Sequence, residues 1–325
     1  MLKVQENIGT KLGYKTGHEV YEKDGIINLE KSILDLQESL CNRDEKKYKN
    51  FLKSLEMTGI ILRLMKVPNY KKRLELLRYS YYTLRLLDDI GDGDTSENFS
   101  PEERMEIFNG EKGIGLFDLL KEKVLKIAVE LGESEGVEKH MNEIILSIKF
   151  DVERIIDPNK KRTETELKDN FYTMDTEGTA NLMAIVSGVN HQKLPEGIGF
   201  LSEATRISYN IRDLQEDLKN FLINISIEDL KKYSISDDDL EKAKSGNFSE
   251  GIKEWIKSEI KKMINLLNEY NENFSFINLI KDRGLKLSYN TGYFRRVFNN
   301  MIIRYVVSQT YKIPIKKVIS NNKDL

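Results

Sequence analysis

Residues 204–235 read Ala-Thr-Arg-Ile-Ser-Tyr-Asn-Ile-Arg-Asp-Leu-Gln-Glu-Asp-Leu-Lys-Asn-Phe-Leu-Ile-Asn-Ile-Ser-Ile-Glu-Asp-Leu-Lys-Lys-Tyr-Ser-Ile, without Gly or Pro. Within them Asp213 and Asp217 are four apart, a spacing that on a helix stacks both carboxylates on one face, one turn apart. Like charges so placed cost a helix about 0.2–0.5 kcal/mol unless a cation sits between them. The same spacing recurs at Asp88 and Asp92, in Tyr81-Tyr-Thr-Leu-Arg-Leu-Leu-Asp-Asp-Ile-Gly-Asp-Gly-Asp94. Leu74, Leu77, Tyr81, Leu84 and Leu87 lead into the first pair, and Leu201, Ile207 and Ile211 into the second. Acids that continue an apolar stripe point toward a core or cleft, where an uncompensated charge is expensive. Two such pairs facing one another would form an oxygen-rich pocket suited to Mg²⁺ and a diphosphate. The plain alternative is a set of solvated helix faces, since 32% of the chain is charged and acids at this spacing are then common.

With 325 residues the chain can build a sizeable core. Lys+Arg 51 against Asp+Glu 53 gives a net charge of -2, which speaks against a nucleic-acid binder, where a basic excess is expected. A single cysteine, Cys41, excludes a disulfide framework within the chain and fits a reducing compartment. No apolar run is long enough to span a bilayer, and the N-terminal Met-Leu-Lys-Val-Gln-Glu-Asn does not read as a signal peptide. The expectation is a cytoplasmic protein, with room for peripheral membrane contact. Only 5 Pro, with long stretches free of Pro and Gly, favour an all-α fold.

Residues 1–28 read as an irregular N-terminal arm, 29–318 as one all-α domain, and 319–325 as a frayed tail. Residues 29–66 read as two helices broken near Asn42-Arg-Asp-Glu45, and 70–90 as the first aspartate helix, ended by Gly91-Asp-Gly-Asp. Ser100-Pro-Glu-Glu carries an N-cap Ser, Pro at the first helical position and Glu at the third. Helices follow over 115–131 and 137–156. The next, 165–188, has a small-residue centre at Gly178-Thr-Ala180, and 198–221 is the second aspartate helix. Ser226 caps a short helix. Stretches 249–270, 276–289 and 293–309 are amphipathic, with Trp255 in the core.

Other chemistries have less support. His18, His140 and His191 show no ligand spacing with one another or with Cys41, and read as surface or cap residues. Gly110-Glu-Lys-Gly-Ile-Gly115 follows no strand, so it is not a nucleotide loop. Arg295 and Arg296 lie among Tyr293, Phe294, Val297 and Phe298; an Arg held beside a cleft can clamp phosphate oxygens, and a partly exposed helix face is the alternative.

Tyr81, Arg85, Asp88 and Asp92 in one segment, and Arg212, Asp213, Glu216 and Asp217 followed by Ile223-Asn-Ile-Ser-Ile-Glu-Asp-Leu in the other, stand in a particular order and spacing. In this the chain resembles the squalene/phytoene synthase family, the head-to-head trans-prenyltransferases, over roughly residues 54–310. Tyr172 falls where the family has a tyrosine on its central cavity helix. Some positions differ. The family's small apolar segment is here Asp175-Thr-Glu-Gly178, Tyr209 stands where the family has Asn with Asn210 one place later, and Lys219-Asn-Phe-Leu222 replaces a basic flap.

The resemblance implies an isoprenoid synthase-type helical bundle around a central apolar cavity. Asp88, Asp92, Asp213 and Asp217 would hold two or three Mg²⁺, and Arg85, Arg212, Tyr209, Asn210 and Arg295 or Arg296 would bind the substrate. Tyr81 and Tyr172 would orient the donor or face an allylic cation, with Leu84, Met183 and Ile207 keeping water away. The implied substrate is farnesyl or geranylgeranyl diphosphate, condensed head-to-head with a second copy. The reducing members of the family use NADPH without a Gly-rich loop, so that cofactor stays open. A class I terpene cyclase acting on one diphosphate, for which the departures from the family, among them the polar Asp175 and Glu177, leave room, and a non-catalytic helical scaffold are the other readings.

Overall fold

In a computed structural model, residue 31 and residues 45–64, 66–93, 99–113, 115–188 and 197–273 are described. They are mostly helical, and no strand occurs among them, as expected of an all-α chain. In chain order the helices are α1 (Glu45–Leu64), α2 (Tyr70–Asp92), α3 (Pro101–Phe108), α4 (Gly115–Leu131), α5 (Ser134–Ile156) and α6 (Glu164–Tyr172). A π-helical segment, Thr173–Ala180, runs on into α7 (Asn181–Val186). Then come α8 (Gly197–Arg212), α9 (Leu214–Lys219), α10 (Ile227–Lys232), α11 (Asp237–Ala243) and α12 (Glu250–Asn273). Among the described residues no helix is long and apolar enough to cross a membrane. The arm at 1–28, the helices expected at 276–289 and 293–309, and the tail at 319–325 lie outside the described residues.

The described residues fall in two compact units, one within Met1–Ile156 and Asn181–His191, the other within Asp157–Ala180 and Gln192–Leu325. The first is built on α2, which packs against α1, α4, α5 and α7. Its buried face carries Leu76, Tyr82, Leu86, Leu87 and Ile90. This face is turned by about one residue from the expected stripe, because Leu74, Leu77, Tyr81 and Leu84 are only partly buried. The expected stripe steps by three, four, three and three residues, short of the 3.6 of a helical turn, so the deepest positions pass to neighbours of the residues that mark it. Arg73 is buried as well: its Nε donates to the Pro68 carbonyl at 3.1 Å and its Nη1 to the carbonyl of Ile185, near the end of α7. The Gly188 N–H donates to the same carbonyl at 2.9 Å, so the arginine adds a second donor at the helix end.

α2 runs two residues past the expected end at 90 and stops within the Gly91-Asp-Gly-Asp run. Gly93 takes φ 78°, a left-handed cap, while Arg104 of α3 donates to the Gly91 carbonyl at 3.0 Å and to the Phe99 carbonyl at 3.1 Å. A Cβ on Gly93 would press on the Arg104 guanidinium and sit in a conformation that L side chains rarely adopt. Gly93→Ala is therefore expected to lower stability by about 1–2 kcal/mol, read as a lower urea midpoint. Pro101 opens α3 and Ser100 forms the full capping box with Glu103, as predicted.

The second unit is built on α8 and α12, which pack along one another. Ile252, Trp255, Ile256, Ile260, Met263 and Leu267 recur at helical spacing and bury one face of α12, so Trp255 is in the core as expected. Two predicted helices are modified. The stretch expected as one helix over 165–188 contains the π-helical segment, and the one over 198–221 is interrupted at Asp213, whose φ −96° and ψ 3° separate α8 from α9. The helix α11 was not expected; its signal is the capping box of Ser236 with Asp239, three residues later.

Candidate functional site

In the first unit, the end of α2 brings Tyr81, Arg85, Asp88 and Asp89 together. Arg85 Nη1 donates to Asp88 Oδ2 at 2.5 Å, and Arg85 Nη2 lies 2.6 Å from Asp89 Oδ1. The second contact is an ion pair without the alignment of a hydrogen bond. Burial works against the Arg85 charge, but Asp88 and Asp89 outweigh it and hold its pKa above the ordinary arginine value. Asp88 keeps a third of its side chain in solvent, Asp92 is exposed, and it is Asp89 that is fully buried. Asp89 was missed because the pairing looked for was at four-residue spacing from Asp92; its own signal is Arg85, four residues before it. The Tyr81 ring stacks on Phe51 with centroids 3.5 Å apart, and burial pushes its phenol up.

In the second unit, Asp213 and Asp217 stay one turn apart despite the break. Asp213 N–H donates to the Tyr209 carbonyl at 2.9 Å and Asp217 N–H to the Asp213 carbonyl at 2.8 Å. Arg212 grips Asp213 side-on, Nε to Oδ1 at 2.7 Å and Nη2 to Oδ2 at 2.5 Å, and lies over the Tyr209 ring at 4.6 Å. Those hydrogen bonds raise the Arg212 pKa. Asp217 Oδ2 accepts from Asn224 Nδ2 at 2.8 Å. Arg295 and Arg296 lie outside the described residues.

Asn224 belongs to the wall of a cleft formed by α6, the π-helical segment, α8, α10 and α12, with a cavity volume of about 90 Å³. A water needs roughly 10–15 Å³ on that measure, so the cleft has room for several waters or a polar headgroup. Of the expected residues, Tyr172, Asn210 and Ile207 line it. Asp175 does so too, though the residue it meets, Arg206, was not anticipated: the two pair side-on, Nε to Oδ2 and Nη2 to Oδ1, both at 2.7 Å. Lys262 reaches Glu203 at 3.1 Å, with Lys168 3.9 Å from the same carboxylate. Trp255 Nε1 donates to Asp229 Oδ2 at 3.2 Å. Glu259 shares the wall, and its carboxyl is pushed up to about 7, by burial first and then by Asp229, Glu164 and Glu203, against the pull of Lys262. Phe171, Leu167 and Ile207 supply an apolar side.

His140 is buried rather than at the surface, with Nδ1 2.8 Å from Glu143 Oε2. A helix face shared with Val137, Met141 and Ile144 carries it inward, and the glutamate one turn on satisfies the ring nitrogen. His18, His191 and Cys41 lie outside the described residues.

Mg²⁺ is commonly held through one or two carboxylates, with waters and phosphate oxygens completing its shell. Each acidic pair offers two carboxylates one turn apart, of which Asp88 is held by Arg85 and Asp213 by Arg212. Among the described residues no three His, Cys, Asp or Glu side chains gather into a cage of their own. Compared with protein-family models, with curated proteins and with solved structures, the chain matches none of them.

Proposed function

We propose that the chain is a Mg²⁺-dependent enzyme acting on prenyl diphosphates, which ionises an allylic C15 or C20 diphosphate and condenses it head-to-head with a second. The observation that carries this reading is the link from Asp217 through Asn224 to a cleft with one apolar and one charged side. A prenyl diphosphate has those two characters, a greasy chain and a highly charged head. Asp88, Asp92, Asp213 and Asp217 are the residues that would hold two or three Mg²⁺. Bound there, the metal supplies charge neutralisation that makes the diphosphate a leaving group. Arg85 and Arg212, each now on a carboxylate, have the planar fork that phosphate oxygens also fit, and so can pass from one anion to the other. Tyr172, and Tyr81 by the face not stacked on Phe51, would offer rings to an allylic cation. Ile207, Leu167 and Phe171 would shield that cation from water.

The test is incubation of the full chain with farnesyl or geranylgeranyl diphosphate and MgCl₂, followed by hexane extraction and a diphosphate assay. A linear C30 or C40 hydrocarbon is the expected product. A cyclic C15 or C20 hydrocarbon would replace condensation by cyclisation of one substrate, to which the polar Asp175 segment on the cleft wall lends support. If neither substrate releases diphosphate with Mg²⁺ present, the enzymatic reading falls and a helical scaffold remains.

A further inference from the structure

We propose that Arg206 is the anion-binding residue of the cleft in the second unit, and that Asp175 is a built-in competitor holding its place. The ligand is the oxygen set of a phosphate or diphosphate group. That choice rests on the function proposed above, whereas the competition between Asp175 and an incoming anion does not.

Arg206 presents the side-on edge of its guanidinium, Nε and Nη2, to both carboxylate oxygens of Asp175. This is the geometry with which an arginine receives a phosphate, so the carboxylate already fills an oxyanion position. The guanidinium plane is fixed from outside the pair. It lies over the Phe171 ring at 5.0 Å, and Nη2 is 3.1 Å from Met174 Sδ. An arginine held this way stays in position when its partner changes. The pair is also accessible, with 18% of the Arg206 side chain and 21% of the Asp175 side chain exposed at the cleft. A ligand can reach it without opening the core.

Asp175 sits in the π-helical segment Thr173–Ala180. Such insertions are rare, and they gather at functional sites because the widened turn re-aims the side chains it carries. The next residue, Thr176, lines the cleft with a buried hydroxyl that has no hydrogen-bond partner among the described residues. It supplies a donor for an anion beside Arg206. Lys168 and Lys262 add two more cations to the same wall, sharing Glu203 between them. The remaining charged groups on that wall, Glu164, Asp229 and Glu259, are acids. A bare anion is thus disfavoured until Asp175 is neutralised or a divalent cation accompanies the ligand.

If the pair were only a staple between the π-helical segment and α8, removing its charge would loosen the protein and leave anion affinity alone. Competition gives a different result. Asp175→Asn keeps the shape and removes the competing charge. The experiment is calorimetric titration of the full chain with inorganic diphosphate, with and without MgCl₂, on the wild type, Asp175→Asn, Asp175→Asn with Arg206→Gln, and Arg206→Lys. Circular dichroism confirms that each variant is folded. Asp175→Asn is expected to bind diphosphate about tenfold more tightly than the wild type, the double variant to lose that gain, and Arg206→Lys to bind more weakly than the wild type because the fork is gone. An affinity unchanged or lowered in Asp175→Asn overturns the proposal, as does a gain that survives Arg206→Gln. The failures are separable. A tenfold gain without turnover of prenyl diphosphates leaves this inference standing and removes the proposed function; turnover with diphosphate affinity indifferent to Asp175 does the reverse.

Discussion

Arg85→Met is expected to cost the protein about 3 kcal/mol, read as a drop in urea midpoint at unchanged slope. The cause is Asp89, whose side chain is 1% exposed and whose Oδ1 lies 2.6 Å from Arg85. A methionine keeps the bulk of the arginine stem but withdraws the cation, so a carboxylate inside the first unit's core loses a charge that offset its desolvation. Breaking a buried pair from one side costs about 3–5 kcal/mol, and the lower end applies because Arg85 retains 18% exposure. Replacing both partners tests the cause. Arg85→Met with Asp89→Leu should recover most of the loss, since an apolar pair of similar volume carries no desolvation penalty. If the double variant is as unstable as the single one, the cost lies in packing and the ion pair is not its source.

Glu259→Gln should do the opposite, stabilising the protein at neutral and alkaline pH but not at acid pH. Burial raises the Glu259 carboxyl from 4.5 to about 7. The folded state therefore holds its proton more tightly than the unfolded chain. Stability falls as pH rises from about 4.5, and the penalty is complete above about 7. A shift of that size corresponds to about 3 kcal/mol as an upper figure. Glutamine never ionises, so the variant escapes the penalty. Thermal melts at pH 9 should show a higher Tm for Glu259→Gln than for the wild type, and melts at pH 4 should coincide. A gain of equal size at both pH values would trace the effect to packing. Glu164, Lys168, Asp175, Glu203, Arg206, Asp229 and Lys262 line the same cleft in wild type and variant alike, so comparing the two proteins at one pH isolates Glu259.

Much of the helical architecture is written locally. Ser100-Pro-Glu-Glu, Ser226 and Gly93 mark helix ends because caps depend on side chains within three residues of the terminus, and each of them does so in the structure. The acidic pairs too were legible, as was the stacking of one carboxylate a turn above the next. Three features were not. The break at Asp213 leaves the backbone hydrogen bonds on either side in place, so nothing in the apolar spacing marks it. The π-helical segment carries Thr, Asp, Glu and Gly, residues that say little about periodicity, and its widened turn has no local signature. Arg206 and Asp175 are 31 residues apart and meet because α8 packs beside the π-helical segment; such a pair can be found only once the chain is folded. The polarity of Asp175-Thr-Glu177 was visible in the sequence, but its partner was not.

The cleft wall holds the chain's one tryptophan, Trp255, with its indole N–H on Asp229. Its ultraviolet emission therefore comes from a single known place, beside the groove rather than averaged over the molecule. A molecule settling there alters the polarity around the indole, so occupancy can be followed by colour and brightness alone, with no dye attached and no residue replaced.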